Sequence, residues 1–297
     1  MSSKFRSITL ISSPYHLGLP NVGPGAGPTY LLSRGLAASL KALGIPLHEV
    51  EIEAPNPGQF EGEIGRSFEV LRRTAKLVAQ ARRGASFPII LAASSEPEEI
   101  GCVWFDAHDD FNTPDTVISG YFDSMAIAML AGQCWRGLLA TVAGHQPMDL
   151  ARLVHVGMRD VTEVERTRVL EAGFDVVWGN QAAAGLAAEA KVDFVGGLGR
   201  ALERKKLGPT MVHLDLDCLD SSLGKVNKFA SPRGLFEEDL YGCLEKTVTL
   251  AEPLTLTVAS FDPSCDEQGA ETIAKIAIGA VSKFVASLVS AGMISQR

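Results

Sequence analysis

Short apolar runs alternate with longer segments of helical period along this chain of 297 residues. Eight runs have the length and composition of strands, and the segments between them repeat apolar residues every three or four positions. This alternation is typical of βαβ units, in which helices cover the faces of a largely parallel sheet. No Gly/Ser/Pro-rich linker and no internal repeat divides the sequence. We therefore predict an α/β fold, with one domain over residues 1–297.

The same pattern predicts the position of each element. Strands are expected at residues 7–12, 46–52, 88–92, 101–105, 153–157, 175–177, 210–216 and 254–261. Helices are expected at residues 29–43, 68–83, 124–130, 162–172, 191–204, 236–251 and 271–291. The last helix is long and apolar on one face, so we expect it to close the fold against the sheet.

Composition excludes several classes of protein. The net charge of -8 argues against a nucleic-acid-binding surface, which would need a basic stripe. The five cysteines are scattered and form no C-x-x-C pair, so we expect neither a disulfide framework nor a structural zinc cluster. The first residues lack a signal peptide's apolar region, and no stretch approaches the roughly eighteen uncharged apolar residues of a membrane span. We expect a cytoplasmic protein with no membrane or nucleic-acid partner.

A D-x-H-x-D sequence follows the apolar strand predicted at residues 101–105. Successive side chains of an extended chain point to opposite sides, so Asp106, His108 and Asp110 can converge on one side. Together they offer two carboxylates and one imidazole. Taken alone, such a cluster is equally consistent with a hydrogen-bonded loop.

A second apolar strand, predicted at residues 210–216, runs into Asp215 and Asp217. In open α/β sheets ligands gather beyond the carboxyl ends of the strands, and both clusters fall there. Carboxylates that meet in one crevice repel one another, and one or two divalent cations relieve that repulsion. Mixed oxygen and imidazole ligands suit Mn²⁺ among other ions. The two clusters together predict a divalent-metal site.

Two longer motifs surround these residues, Trp104-Phe-Asp-Ala-His-Asp-Asp-Phe-Asn-Thr-Pro114 followed by Ser119-Gly120, and His213-Leu-Asp-Leu-Asp-Cys-Leu-Asp220. They resemble the two metal signatures of the ureohydrolases, the family of arginases and agmatinases. The resemblance extends over most of the chain. It implies three α/β/α layers, a binuclear manganese centre, and water attack on a linear C–N bond of a small guanidino or amidine substrate. It also implies a homo-oligomer, either a trimer or a hexamer.

The resemblance implies a role for each ligand. Asp106 and Asp215 match the carboxylates that bridge the two metals. His108 and Asp217 complete one metal position, and Asp110 belongs to the other. The family's nucleophile is a hydroxide held between the metals, and the carboxylate that matches Asp110 orients it. Water bound to a divalent metal has a pKa near neutrality, which suits that role.

The resemblance also implies residues that meet the substrate. Asn112 and Ser119 match positions that contact the substrate's amino-acid end. Asp123 stands where arginases carry a histidine that relays protons, and we expect Asp123 to take that role. Ser260 stands where a glutamate would grip the guanidinium, and Asp262 lies two residues on, on the same face of an extended strand. Arginine itself is therefore a weaker expectation as the substrate.

One departure bears on activity. The family's first metal ligand is a histidine after the third predicted strand, but this chain has no histidine between His48 and His108. The second metal position then lacks its imidazole unless Glu96, Glu98 or Glu99 reaches it. Only about ten residues join the strands there, fewer than a crossover with a helix needs. Either the segment is shortened, or the strands at residues 88–92 and 101–105 are not neighbours.

Three interpretations of function remain open from these residues. The first is a metal-dependent hydrolase of linear C–N bonds. The second is a catalytically weakened relative that serves as a binding or structural protein with one metal or none. The third is a phosphoesterase or deacetylase of unrelated fold with a similar carboxylate cluster. Among the remaining polar residues, His16 has no visible partner and Arg159 is expected to form an ion pair.

Overall fold

The computed structural model describes residues 4–55, 62–91, 100–179 and 191–296. Its strands are β1 (Ser7–Ser12), β2 (Tyr15–His16), β3 (Leu19–Pro20), β4 (Leu47–Glu51), β5 (Ser86–Leu91), β6 (Gly101–Phe105), β7 (Leu153–Val156), β8 (Asp175–Val177), β9 (Pro209–Asp215) and β10 (Glu252–Ala259). Its α-helices are α1 (Gly27–Ser33), α2 (Leu36–Lys41), α3 (Gly62–Arg83), α4 (Ala126–Leu130), α5 (Arg136–Leu139), α6 (Glu163–Ala172), α7 (Phe194–Lys205), α8 (Glu237–Leu250) and α9 (Ala270–Ser290).

Eight of the strands form one sheet in the order β4-β1-β5-β10-β9-β6-β7-β8, and every neighbouring pair is parallel. Each predicted strand is present, with its ends displaced by at most two residues. The remaining strands, β2 and β3, pair in a small antiparallel hairpin directly after β1. The predicted α/β fold with a parallel sheet is confirmed.

Alternate residues of the central strands enter two different cores. On β6, Val103 and Phe105 belong to a core shared with α1, α2, α7, α8 and α9. Cys102 and Trp104 point to the other side, into a core shared with α3, α4 and α6. Because side chains alternate along a strand, an apolar run with no polar interruption must be covered on both faces. The three α/β/α layers follow from this.

One predicted helix is broken. Residues 29–43 form two helices, because Gly35 adopts a left-handed conformation with φ of 96° between the end of α1 and the start of α2. Glycine has no Cβ and tolerates this conformation at little cost. Conversely, α3 begins at Gly62, six residues before its predicted start. The two histidines within apolar strands, His155 and His213, are buried, and burial lowers the pKa of each to about 3.

The sheet order decides one question that the sequence left open. Strands β5 and β6 are not neighbours, since β10 and β9 lie between them. The polypeptide that joins them includes residues 92–99, which lie outside the described residues. Glu96, Glu98 and Glu99, the acidic side chains considered for the second metal position, fall within that segment.

The C-terminal helix α9 closes the fold as predicted, and packs against α8, α2 and α1. Ile273, Phe284 and Leu288 are fully buried on its inner face. By length and composition alone α9 could cross a membrane, contrary to the expectation that no segment is apolar enough. Half of its most apolar stretch is buried inside the protein, and this packing accounts for its composition.

The close approach of α1 to the loop after β10 predicts a stability effect. A Cβ at Gly27 would lie 2.4 Å from the backbone oxygen of Phe261, which cannot move away as a flexible side chain can. We expect Gly27→Ala to lower the free energy of unfolding by about 1–3 kcal/mol, the usual effect of overpacking. Urea unfolding followed by circular dichroism measures it.

The matched control is Gly137→Ala in α5, where a Cβ would meet no atom within 4 Å. That variant should be neutral, or stabilising by up to about 1 kcal/mol, because alanine favours the helix. Equal stability of the Gly27 variant and the wild type would contradict the packing described for α1.

Candidate metal centre

The predicted site residues surround one cavity at the carboxyl ends of the central strands. It has a volume of about 780 Å³ and is bounded by segments that follow β6, β9 and β10. All nine predicted site residues line it, namely Asp106, His108, Asp110, Asn112, Ser119, Asp123, Asp215, Asp217 and Asp262. The convergence at one sheet edge that was expected for parallel strands is therefore present in the structure.

Asp106, His108 and Asp217 form the tightest group in this cavity. One ligand atom from each of the three lies within 4.8 Å of the others. Among the described residues, this is the group of three or more His, Cys, Asp or Glu side chains that are close enough together to share one metal ion. The His108 Nδ1 atom lies 3.3 Å from Asp106 Oδ1 and 3.3 Å from Asp217 Oδ2. The opposite ring nitrogen, Nε2, faces Asp160 Oδ2 at 3.8 Å.

Local hydrogen bonds fix the carboxylates in this arrangement. Asp106 Oδ1 accepts the His108 amide at 2.7 Å, and Asp106 Oδ2 accepts the Trp104 indole N–H at 3.0 Å. Asp215 Oδ1 accepts the Asp217 amide at 2.9 Å. In both motifs an aspartate that ends a strand accepts the amide two residues on, a turn that aspartate readily forms. The two D-x-[HD] sequences therefore fold in the same local way.

Asp110 and Asp215 line the same cavity but lie outside this tight group. Asp110 adopts a positive φ of 44°, which is uncommon for a residue other than glycine. Asp215 Oδ2 accepts a short hydrogen bond from the Ser260 hydroxyl. These two carboxylates, together with Asp106, are the ones that the family resemblance assigns to a second metal ion.

Burial and mutual repulsion shift the pKa values of the acidic residues. Burial, reinforced by the charge of Asp217, raises the pKa of Asp106 to about 6. Burial and the neighbouring carboxylates raise the pKa of both Asp110 and Asp215 well above the ordinary value. Negative charge is therefore concentrated here beyond what the protein alone neutralises.

A protonated His108 supplies part of the missing positive charge. Burial alone would lower the pKa of His108, but the carboxylates of Asp217 and Asp106 raise it well above its ordinary value. In return, although burial opposes it, His108 lowers the pKa of Asp217. A divalent cation would replace this proton, and it would find one imidazole and several carboxylate oxygens, a donor set that suits Mn²⁺. The residues present fit such an ion.

Two residues that sequence reasoning missed, Asn227 and Asp160, hold this arrangement, and Arg159 supports it in a way that was not predicted. Asn227 donates its side-chain amide to Asp217 Oδ2 at 3.1 Å and to the Ser260 oxygen at 3.2 Å. Asp160 stands behind His108, where a carboxylate orients a ligating imidazole. The expected ion pair of Arg159 was wrong. Its guanidinium donates to six backbone oxygens, those of Gly157, Asp217, Cys218, Leu219, Ser231 and Pro232.

The residues predicted to meet the substrate's amino-acid end differ in their availability. The Asn112 amide donates to Glu165 at 2.9 Å, and its oxygen accepts from Arg168 at 3.1 Å, so α6 holds this side chain. Ser119 is exposed, and its hydroxyl oxygen accepts the Tyr121 amide at 3.2 Å, its one recorded hydrogen bond among the described residues. Asn112 is thus fixed by the protein, whereas the Ser119 hydroxyl keeps its proton for a ligand.

Asp262 lies in the cavity, but the reason given for its position was wrong. Strand β10 ends at Ala259, and Ser260 has a positive φ of 64°, so Ser260 and Asp262 do not share a strand face. Asp262 Oδ1 accepts the amide of Ser264 at 3.0 Å and its hydroxyl at 2.6 Å. Burial favours the neutral acid, but the hydrogen bonds from Ser264 outweigh it and lower the pKa of Asp262.

Asp123 has a partner that the sequence did not suggest. Its Oδ2 lies 3.2 Å from His16 Nε2 and accepts the Tyr121 hydroxyl at 3.2 Å. His16 belongs to the β2–β3 hairpin, which precedes the glycine- and proline-rich loop at residues 20–28. Val22, Gly23 and Pro24 of that loop line the cavity. A lone histidine more than a hundred positions away gave no sequence signal for this contact.

The family model that describes the arginase family matches residues 7–285. The chain belongs to the arginase family. It is 28% identical to arginase-1 of Oryctolagus cuniculus over 277 residues, which cover 81% of this chain and 80% of that protein. It is 26% identical to arginase of Staphylococcus aureus over 185 residues, which cover 55% of this chain and 61% of the relative.

Solved structures of family members share the fold. The arginase of Entamoeba histolytica, solved in complex with L-ornithine, superposes with a TM-score of 0.78 at 17% identity, over 96% of this chain and 99% of that one. Formimidoylglutamase of Bacillus subtilis superposes with a TM-score of 0.68 at 14% identity, over 96% and 88%. At these identities the similarity shows the arginase-like fold alone.

The raised pKa of His108 predicts how stability depends on pH. Above about pH 7 the unfolded chain has lost this proton, whereas the metal-free folded protein keeps it. The folded state then binds more protons, so its stability falls as pH rises. His155 and His213 are already neutral in both states there. We expect the melting temperature of chelator-treated protein to fall between about pH 7 and 8.5, and calorimetry measures it.

Mn²⁺ should reverse this trend, because the metal competes with the proton on His108. The increase in melting temperature on adding Mn²⁺ should therefore be larger at the higher pH. His48→Gln, at an exposed position on β4, should keep the metal-free slope, and His108→Gln should make it shallower. Part of the slope should remain, because burial raises the pKa of Asp109 to about 7. A metal-free melting temperature that rises over this range would contradict the assignment.

Proposed function

We propose that this protein hydrolyses a linear C–N bond in a small guanidino or amidine compound, with Mn²⁺ as its cofactor. The observation that carries the proposal is the buried group of Asp106, His108 and Asp217, with Asp110 and Asp215 beside it, in the cavity of an arginase-like fold. Such a concentration of carboxylates favours both a divalent cation and a cationic substrate. Arginases and formimidoylglutamase, which share this fold, are named for related C–N substrates.

Each protein group has a role in the proposed reaction. Asp106, His108, Asp215 and Asp217 would hold one Mn²⁺, and Asp110 would bind a second one with Asp106 and Asp215. When bound, the metal supplies an activated water and offsets the negative charge of the cavity. Asp110 would orient the attacking water and accept its proton, the role that the family resemblance implies for this carboxylate. Asp123, exposed for 47% of its side-chain surface, exchanges protons with solvent.

The cavity favours a substrate other than arginine. Ser260 occupies the position of a guanidinium-gripping glutamate, and its hydroxyl is engaged with Asp215. Asp262 remains as the acidic group near that position, and its ionised form is favoured. Asn112 is held by Glu165 and Arg168, so Ser119 offers the free polar contact for the substrate's tail. We infer a compound with a shorter or less polar tail than that of arginine.

The cellular setting belongs to the same proposal. We infer a cytoplasmic enzyme from the sequence features, and a homo-oligomer, trimer or hexamer, from the family resemblance. One domain over residues 1–297 is supported by the eight-stranded parallel sheet, because it contains both the first strand, β1, and the last, β10. The partners proposed are small guanidino or amidine substrates and copies of this chain.

A second candidate is a metal-binding member with no turnover. One observation favours it: among described residues, the second metal position has only carboxylate ligands, while His108 serves the first. A single metal would leave the attacking water without a second cation to activate it.

Metal analysis and turnover together separate the two candidates. Purified protein is loaded with Mn²⁺, freed of excess metal, analysed for bound Mn²⁺, and assayed for urea or ammonia released from a panel of guanidino and amidine compounds. About two Mn²⁺ per chain with turnover supports the enzyme. Less than about half an equivalent, with no product from any compound, rules the hydrolase out.

Asp215→Ala should abolish both metal binding and turnover, because this carboxylate is proposed to bridge the two ions. Losing a bridging ligand should lower metal affinity by more than the roughly 10- to 100-fold typical of a supporting residue. Mn²⁺ content by mass spectrometry and product release measure the two effects. Asp115→Ala, at an exposed loop position, is the matched control and should keep both. Full metal content in the Asp215 variant would refute the assignment.

A further inference from the structure

His16, Asp123 and Tyr121 form a hydrogen-bonded group on the wall of the candidate active-site cavity. The Nε2 atom of His16 lies 3.2 Å from Asp123 Oδ2 and 3.3 Å from the Tyr121 hydroxyl oxygen. The same hydroxyl lies 3.2 Å from Asp123 Oδ2. All three side chains line the cavity that contains Asp110 and Asp215. His16 lies far in sequence from both metal motifs, whereas Tyr121 and Asp123 directly follow the first one.

The direction of these hydrogen bonds follows from the partners. Burial, with the charge of Asp123 next in importance, raises the pKa of Tyr121 above its ordinary range, so its hydroxyl keeps its proton and donates to Asp123. An ionised carboxylate can only accept. A proton on His16 Nε2 would lie between the Asp123 carboxylate and the Tyr121 hydroxyl oxygen.

The hairpin and the following loop fix the position of the imidazole. If Gly23 carried a Cβ, that atom would lie 3.2 Å from the Nδ1 atom of the His16 ring. The φ of 52° at Gly23 also favours glycine. Asp262 Oδ2 would lie 3.6 Å from the same Cβ, and the charge of His16 contributes to the lowered pKa of Asp262. Glu63 of α3 lines the same cavity. The ring thus lies against Asp123 and near Asp262, and 17% of its side-chain surface is exposed.

We propose that His16, paired with Asp123, is the catalytic acid that protonates the departing nitrogen. This rests on the proposed hydrolase function. The oxygen of the attacking water bonds to the amidine carbon as the π pair of the C=N bond moves onto nitrogen. The proton of the water passes to Asp110, which later releases it to solvent. The C–N bond then breaks, its electron pair stays on nitrogen, and the His16 imidazolium gives that nitrogen its Nε2 proton. Solvent returns a proton to His16 through Asp123, which is half exposed.

The central test compares His16→Gln with His48→Gln, a change at an exposed histidine on β4. After Mn²⁺ loading, we expect the His16 variant to keep its metal content and lose about 100- to 10,000-fold in kcat, the usual contribution of a general acid. Its KM should change much less. The alkaline limb of its pH–rate profile should disappear, because that limb reports loss of the imidazolium. His48→Gln should match the wild type in all four measurements.

Two further variants separate chemistry from structure. Added imidazole should restore part of the kcat of His16→Ala, which a purely structural contact would not allow. Asp123→Asn keeps the imidazole but removes the charge that stabilises its protonated form, so the alkaline limb should move to lower pH. The double variant His16→Gln/Asp123→Asn should be little slower than His16→Gln, because the two residues act as a unit.

The outcomes distinguish this inference from the proposed function. A loaded wild type with no turnover on any compound overturns both. An active wild type with His16→Gln within about twofold of its kcat, or with an unchanged alkaline limb, overturns only the role of His16. If His16→Gln does not fold, Asp123→Asn decides: an unmoved alkaline limb in that variant also overturns the proposal.

Discussion

The site depends on the mutual repulsion of carboxylates that the fold buries at one edge of the sheet. Asp106, Asp110 and Asp215 all have raised pKa values, and burial is the first cause in each case. Transferring charge out of water is costly unless hydrogen bonds or an opposite charge compensate it. Backbone amides, the Trp104 indole and a protonated His108 provide part of that compensation. The negative charge that remains is what would give the site its affinity for a divalent cation.

That arrangement needs rigid support, because like charges would otherwise move apart. Arg159 gives this support on one side, because its buried guanidinium donates hydrogen bonds to the backbone oxygens of Asp217, Cys218 and Leu219. Asn227 supplies it on the other by joining Asp217 to the backbone of Ser260. Both contacts cross between loops that follow different strands. The parallel sheet fixes where those loops begin, and these contacts fix where the ligands point.

The chain has the residues proposed to hold one metal ion, and it departs from the family pattern around the position proposed for a second. Ser260 bonds to Asp215 where a longer acidic side chain would approach a guanidinium, so that end of the cavity has a different shape and charge. On the opposite wall, Asp123 pairs with His16 from the β2–β3 hairpin. These departures lie outside the group of Asp106, His108 and Asp217. In the proposed reaction they would bear on which compound fits and on how protons move, more than on metal affinity.

The period of the apolar residues predicted the eight strands and the parallel sheet, and the two aspartate motifs predicted five candidate ligands, four aspartates and one histidine. These are local properties, since alternation along a strand and a turn after it need only neighbouring residues. Sequence could not show that β5 and β6 are separated by two strands, or that Ser260 turns the chain after β10. Nor could it show that Arg159 binds carbonyls, or that His16 meets Asp123. Each of these depends on segments distant in sequence being packed together, and only the tertiary structure decides which distant groups share one cavity.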